Sequence, residues 1–341
     1  MIKDKNQNGI ALLCCSNGLG HCRRQYIQAL EFQKQEYKVT LFGPLKKIEK
    51  LESIYGKKII IKKDFNTPSL SEISKGTLFK SWPNEVINKK KYKIVISDNL
   101  LEILLFRPDA YLMGSFFWHY ALPEYEKNNK LNFDLFNNLI KKVNPIIFSA
   151  NFLTPDYIKD LCNYKGIGLH GIKNNLKKNR KEDLLISCGK GGNCENQYRL
   201  IVRKIAKINK AKFKNIWVEP SLYESSLPNY MKPADYSSDM YSRVLLAICR
   251  PGIGTITECI QHEIFTLLFY ENNNEMKFID KRISEFNIGF SCKDIIELFD
   301  KFSYFENNQE ELENKFSNKD LPQISGAEDV ISELKSNLGN F

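Results

Sequence analysis

No stretch of this 341-residue chain approaches the roughly 18 consecutive apolar residues of a membrane-spanning helix. Runs such as Ile103–Phe106 and Val244–Ile248 are far shorter. Met1–Asn6 is polar and charged, without the apolar core of a signal peptide, so a cytoplasmic protein is expected. Metal-type cysteine spacing is missing as well. Nine cysteines are present, but none forms C-x-x-C; Cys14 and Cys15 are adjacent, and Cys188 and Cys194 lie six apart. Such a scatter excludes a zinc framework and argues for reduced thiols packed as small hydrophobes. No repeat of solenoid period occurs.

What is present describes a globular chain: 43% hydrophobic and 26% charged residues, with a length that suits two domains. The net charge of +10 is unevenly spread. Residues 1–182 carry 31 Lys and Arg against 17 Asp and Glu (+14), and the remainder 19 against 23 (−4). A basic front half suits a phosphorylated substrate, an anionic membrane surface or nucleic acid, and a general lysine bias would look the same. No nucleic-acid signature accompanies the dispersed lysines, so nucleic acid is not expected as a partner.

Two segments share one pattern of apolar strand, glycine turn and amphipathic helix. The first runs Ile10–Cys15, then Ser16–His21, then a helix from about Cys22, with a strand over 37–42. The second runs Asp183–Cys188, then Gly189–Asn193, then a helix carrying Tyr198, Ile201, Val202 and Ile205, with a strand over 213–218. Further strands are predicted at 58–62, 94–97, 110–114, 145–150, 245–249 and 265–270. Apolar strands alternating with amphipathic helices indicate parallel sheets covered on both faces. The expected architecture is α/β: two doubly wound Rossmann-like domains facing across a cleft. The first spans 1–172, a polar linker 173–183, the second 184–320, and a C-terminal tail 321–341.

Open sheets of this kind bind ligands beyond the carboxyl ends of their strands, where both glycine turns fall. A helix start offers unpaired N–H groups and a positive dipole end to an anion. In the first turn, Asn17, Gly18, Gly20 and Arg24 are candidate acceptor or phosphate contacts, and His21 is a candidate base. The alternative is a ligand-free turn. A dinucleotide fingerprint is excluded, because Arg23 stands where the third glycine belongs and the next strand ends Phe42-Gly43-Pro44 without a ribose-binding acid. The other pronounced motif is Arg250-Pro-Gly252-Ile-Gly254-Thr255-Ile-Thr257-Glu258, after the strand Val244–Ile248. Its glycines permit close approach, its threonines offer hydroxyls, and Glu258 can accept two hydrogen bonds from a ribose diol. Thr255 and Glu258 also have capping-box spacing, a purely structural role. The aromatic segment Phe116–Pro123 reads either as a surface anchor or as a buried strand end, with His119 a secondary acceptor candidate.

The Arg250–Glu258 motif, followed by the strand Thr266–Tyr270 and then Glu271–Glu275, resembles the donor-nucleotide segment of GT-B glycosyltransferases. The family it looks most like includes the peptidoglycan N-acetylglucosaminyltransferase acting on lipid-linked muramyl pentapeptide. Gly18-Leu-Gly-His21, with Arg24 three residues on, is similar to the amino-terminal loop of that superfamily and of related nucleotide-sugar hydrolases. Gly189, Gly191 and Gly192 resemble the first loop of its carboxy-terminal domain. The resemblance implies that Glu258 holds the donor ribose, that Gly252, Gly254 and Thr255 line the diphosphate, and that His21 is the base. It also implies a carboxylate orienting His21, for which Asp98 is the candidate; a helix N-cap is the alternative reading of Asp98. Relatives follow the last strand with Glu-Gln or Asp-Gln; here Glu275 precedes Met276, a departure from the donor-sugar motif. The implied activity is transfer from a nucleotide sugar, a UDP-sugar by this resemblance, to a glycan or lipid-linked acceptor, on or near the inner face of the membrane. The donor is a co-substrate; no cofactor or metal is expected, consistent with the lack of an Asp-x-Asp pair. Hydrolysis or epimerisation of a nucleotide sugar is the alternative.

Overall fold

Central strands in this chain are short apolar runs buried on both faces, and they set the architecture. The computed structural model describes residues 9–89, 91–172, 181–189, 194–208, 212–317 and 321–338. It divides into one unit of Met1–Ile172 with Gln323–Phe341 and a second of Lys173–Pro322. In the first, β1 (Gly9–Leu13), β2 (Val39–Gly43), β3 (Lys62–Asp64), β4 (Tyr92–Asp98), β5 (Tyr111–Met113), β6 (Ile146–Ala150) and β7 (Asn163–Ile167) form a seven-stranded sheet. Its order is β3-β2-β1-β4-β5-β6-β7, parallel throughout. Side chains alternate across the sheet. Ile10, Leu12 and Cys14 join the core containing Tyr26 and Phe32 of helix α1 (Leu19–Lys34). Ala11, Leu13 and Cys15 join the opposite core with Leu101 and Phe117, just before the short helix α2 (Trp118–Ala121).

The second unit repeats the plan with β8 (Asp183–Ser187), β9 (Ile216–Val218), β10 (Met231–Pro233), β11 (Val244–Cys249), β12 (Phe265–Leu268) and β13 (Gly289–Ser291). These form a six-stranded parallel sheet in the order β10-β9-β8-β11-β12-β13. Helix α3 (Glu195–Ile208) buries Tyr198, Ile201, Val202 and Ile205 as its spacing predicts. Helices α4 (Ile253–Gln261) and α5 (Asn274–Glu285) follow β11 and β12.

The final helix, α6 (Gly326–Leu338), corrects the expectation of a separate tail over 321–341. Its Ala327, Val330, Ile331 and Leu334 are buried in the same core as α1. Gln28 Nε2 donates to the Ala327 carbonyl at 3.2 Å, and Asp329 Oδ2 accepts from the Gly168 N–H at 2.8 Å. An apolar stripe at helical spacing has to be covered, and the first unit covers it. Of the expected linker 173–183, residues 173–180 lie outside the described residues. Lys181 already belongs to the second unit, donating to the carbonyls of His262 and Glu263 at 2.7 Å each. All nine cysteines are free and buried. Among the described residues no helix is long and apolar enough to cross a membrane.

Candidate active site

In the first sheet the strand order reverses between β1 and β4, which opens a crevice at their carboxyl ends. The β1 turn enters it through Gly18, the N-cap of α1, at φ +81°, a conformation glycine adopts without a Cβ penalty. Ser16 is tied to Thr67, its N–H donating to Thr67 Oγ1 at 2.9 Å, and Lys47 Nζ donates to the Gly18 carbonyl at 3.3 Å. The turn is thereby fixed from two sides, and His21 in the first turn of α1 is fixed with it.

Asp98, the last residue of β4, reaches His21 from the neighbouring strand end. His21 Nδ1 lies 2.7 Å from Asp98 Oδ1, and the carboxylate is 0% exposed. Arg24, one turn along α1, closes the group with a fork: Nε to Oδ2 at 2.7 Å and Nη2 to Oδ1 at 2.8 Å. Burial disfavours the carboxylate, but Arg24 and His21 outweigh it and hold Asp98 below its ordinary value. A carboxylate only accepts, so Nδ1 is the donor toward Asp98, and in the neutral imidazole Nε2 then keeps the lone pair. The Trp118 ring, at the start of α2, stands 5.5 Å from the imidazole. The N-cap reading of Asp98 is replaced by this three-residue group.

Other expectations for this turn change. Arg24 faces inward to Asp98 instead of outward to a phosphate. Asn17 donates its amide to the Pro68 carbonyl at 2.8 Å. Gly20 lies exposed within the first turn of α1, and of the two glycines only Gly18 has a positive φ. His119 is 2% exposed among Phe117, Tyr120, Phe133 and Phe136, with Nε2 3.2 Å from Asn137 Oδ1. Burial lowers it to about 4, with the Asn137 hydrogen bond opposing. It is a core histidine with no surface for an acceptor. His170 and His262, the latter at the C-terminal end of α4, are buried as well.

The second sheet reverses its order between β8 and β11, so the other two motifs meet at its carboxyl edge. The Gly189 N–H donates to Glu219 Oε2 at 2.7 Å, and Ser187 Oγ to the same oxygen at 3.1 Å. Gly191 and Gly192 lie outside the described residues. Arg250 follows β11 and pairs with Glu271 beyond β12, its Nε 2.9 and 2.8 Å from the two carboxylate oxygens. Burial would raise the Glu271 carboxyl, but Arg250 prevails and holds it low. Cys194 Sγ approaches the same carboxylate at 3.6 Å, and Glu275, half-buried in the first turn of α5, adds its charge near Arg250.

The N-cap of α4 is Gly252, which has no side chain to cap with, so Thr255 is not the cap and no capping box with Glu258 forms. A Cβ on Gly252 would meet nothing within 4 Å, which leaves open space at the helix start. Gly252, Gly254 and Thr255 are all partly exposed there. Thr257 instead turns inward, its hydroxyl donating to the Ile253 carbonyl at 2.8 Å, which removes it as a ligand contact. Glu258 is 6% exposed, with Oε2 3.5 Å from His262 Nε2. Among the described residues no group of three or more His, Cys, Asp and Glu is placed to hold a metal.

Sequence reading missed Glu219, Trp118 and the role of Glu271. Nothing local marks them: each acquires its partner across 20 residues or more in the sequence.

No protein-family model matches the chain, and no curated protein matches it by sequence. Solved structures do. The calicheamicin glycosyltransferase CalG4 superposes with a TM-score of 0.60 at 13% identity, over 98% of this chain and 99% of that one. Arabidopsis thaliana UGT89C1, solved with quercetin, gives 0.62 at 9%, over 96% and 100%. The Streptomyces sp. SF2575 glycosyltransferase SsfS6, solved with thymidine diphosphate, gives 0.58 at 10%, over 96% and 99%. With two Rossmann-like parallel sheets and this likeness over nearly its whole length, the chain has the GT-B fold of the glycosyltransferases.

Proposed function

We propose that the protein transfers a sugar from a nucleotide-sugar donor to an acceptor hydroxyl, with His21 as the base. The observation that carries this reading is the 2.7 Å contact between His21 Nδ1 and the buried Asp98 carboxylate, which in the neutral ring leaves Nε2 as the proton acceptor. In the proposed reaction Nε2 takes the acceptor hydroxyl proton as that oxygen attacks the anomeric carbon. The bond from that carbon to the diphosphate oxygen breaks, and its electron pair leaves with the nucleotide. The second unit holds the donor: Glu258 the ribose, Gly252, Gly254 and Thr255 the diphosphate at the α4 N-terminus, and Glu275 the sugar. Arg250 adds positive charge there, tempered by Glu271.

A nucleoside diphosphate as leaving group is supported by the structural neighbours solved with thymidine diphosphate. The likeness of the Arg250–Glu258 motif to the peptidoglycan enzyme favours a UDP-sugar and a glycan or lipid-linked acceptor, and the +14 charge of residues 1–182 suits an acceptor at an anionic membrane face.

A thermal-shift screen against UDP, TDP, GDP and CDP tests donor binding, since a ligand of the folded state raises stability by RT ln(1 + [L]/Kd). Product analysis by NMR with the cognate nucleotide sugar then tests transfer. Sugar released at one rate with and without acceptors would make the enzyme a hydrolase, and no nucleotide response would end the proposal.

A further inference from the structure

We propose that Arg24 is a positioning residue for His21, supplying the permanent countercharge and two-point grip that keep Asp98 an orienting carboxylate and the imidazole a neutral base. The inference rests on the reading of His21 as a base. Asp98 is fully buried, and a carboxylate there needs a cation beside it. With His21 as its sole partner, the carboxylate would favour a proton held on the ring. An imidazolium has no lone pair and cannot take a proton from an acceptor. Arg24 removes that outcome because its guanidinium is charged at every relevant pH.

The geometry fits this division of labour. Arg24 occupies both Asp98 oxygens side-on, at 2.7 and 2.8 Å, and leaves Oδ1 able to accept from His21 as well. Arg24 Nη2 also stands 3.4 Å from His21 Nδ1, where a second positive charge on the ring is opposed directly. His21 and Arg24 share one face of α1 at a spacing of three, so one backbone segment places both against the end of β4.

The other titratable groups around Asp98 do not supply this charge. Burial lowers His170 to about 3 and leaves it neutral. Burial raises Cys14 and Cys15, the latter to about 12, so neither thiol ionises near neutrality. Arg23 is held by the Tyr55 hydroxyl at 2.6 Å and the His170 carbonyl at 3.2 Å.

The test is the titration of His21 followed by NMR in labelled full-length protein, which needs no substrate, together with the pH–rate profile. Arg24→Gln is expected to move the His21 titration and the acidic limb upward by about one unit. It should also lower kcat by ~10²-fold while leaving the donor KM unchanged. Arg24→Lys should keep the titration near wild type, because the charge remains, yet still lose turnover, because a point charge lacks the fork. If Arg24→Gln does not fold, Asp98→Asn should move the titration down, and the double variant Asp98→Asn/Arg24→Gln should return it. An unmoved titration in Arg24→Gln, a shift in Arg24→Lys as large as in Arg24→Gln, or a double variant that fails to return would each overturn the proposal. So would a raised KM with kcat intact, which would make Arg24 a substrate contact. A shifted titration in a protein that turns over no nucleotide sugar would instead leave the role of Arg24 standing and remove the proposed reaction.

Discussion

His21 and Asp98, separated by 77 positions in the chain, meet at 2.7 Å where the first sheet reverses its strand order. His21→Ala is expected to lower kcat by ~10²–10⁴-fold with little change in donor affinity. Asp98→Asn should lose a comparable factor, because an amide no longer fixes the ring with Nδ1 protonated. It should also destabilise the fold by about 3–5 kcal/mol, since Arg24 is left as a buried charge without its carboxylate. Steady-state kinetics and urea titration of the two variants separate these effects.

Glu271 places a negative charge against Arg250 at the edge where the donor diphosphate is proposed to sit. Glu271→Gln should therefore tighten nucleoside diphosphate binding and steepen its dependence on salt, whereas Arg250→Ala should weaken it. Calorimetric titration with the cognate nucleotide at two salt concentrations decides this. Tighter binding by Arg250→Ala would remove Arg250 from the site.

Leu334 is 0% exposed in a helix that lies 300 positions from its partner α1 and packs in the same core. Leu334→Ala is expected to cost about 2–5 kcal/mol, the range for a buried leucine. Differential scanning calorimetry should show the loss, and a mere surface tail would show none.

Gly114 sits at φ +144°, and a Cβ there would lie 1.8 Å from Asn99 Oδ1 and 3.6 Å from Arg24 Nη2. Gly114→Ala should thus cost about 1–3 kcal/mol in backbone strain alone. It should also lower kcat, because Asn99 must move next to Arg24. Chemical denaturation and kinetics on the same preparation check both.

The burial of His119 makes stability depend on pH in a definite direction. Its folded value is about 4 against an ordinary 6.5, so the unfolded chain binds the proton more readily between them. The contribution is complete above about pH 6.5 and falls away toward pH 4, by about 3 kcal/mol in all. His170 and Asp98, also held low, act in the same direction. His119→Phe, whose ring suits the same aromatic surroundings, should flatten the urea midpoint between pH 7 and 5, and an unchanged slope would contradict the assignment.

The central strands were legible in the sequence because they are apolar on both faces: β1, β2, β8 and β11 are buried at every position. The sheet edges carry a weaker pattern. Nothing in the sequence marks strands β7, β10 and β13, and the apolar pattern places β3 too early, at 58–62. All four are edge strands with at most one buried position each and residues such as Lys62, Gly166, Pro233 and Gly289, which carry little strand signal. Edges need only one neighbour, so composition constrains them weakly.

Two glycine-turned α/β units and the residue types at their strand ends follow from local periodicity and from backbone conformations that few residues permit. Which side chains work together is set by long-range packing. Arg24 faces a carboxylate and not a ligand, Thr257 and His119 belong to the interior, and the last helix completes the first unit. Each outcome depends on burial and on partners distant in the chain, and a charge or hydroxyl has no fixed role until the packing around it is known.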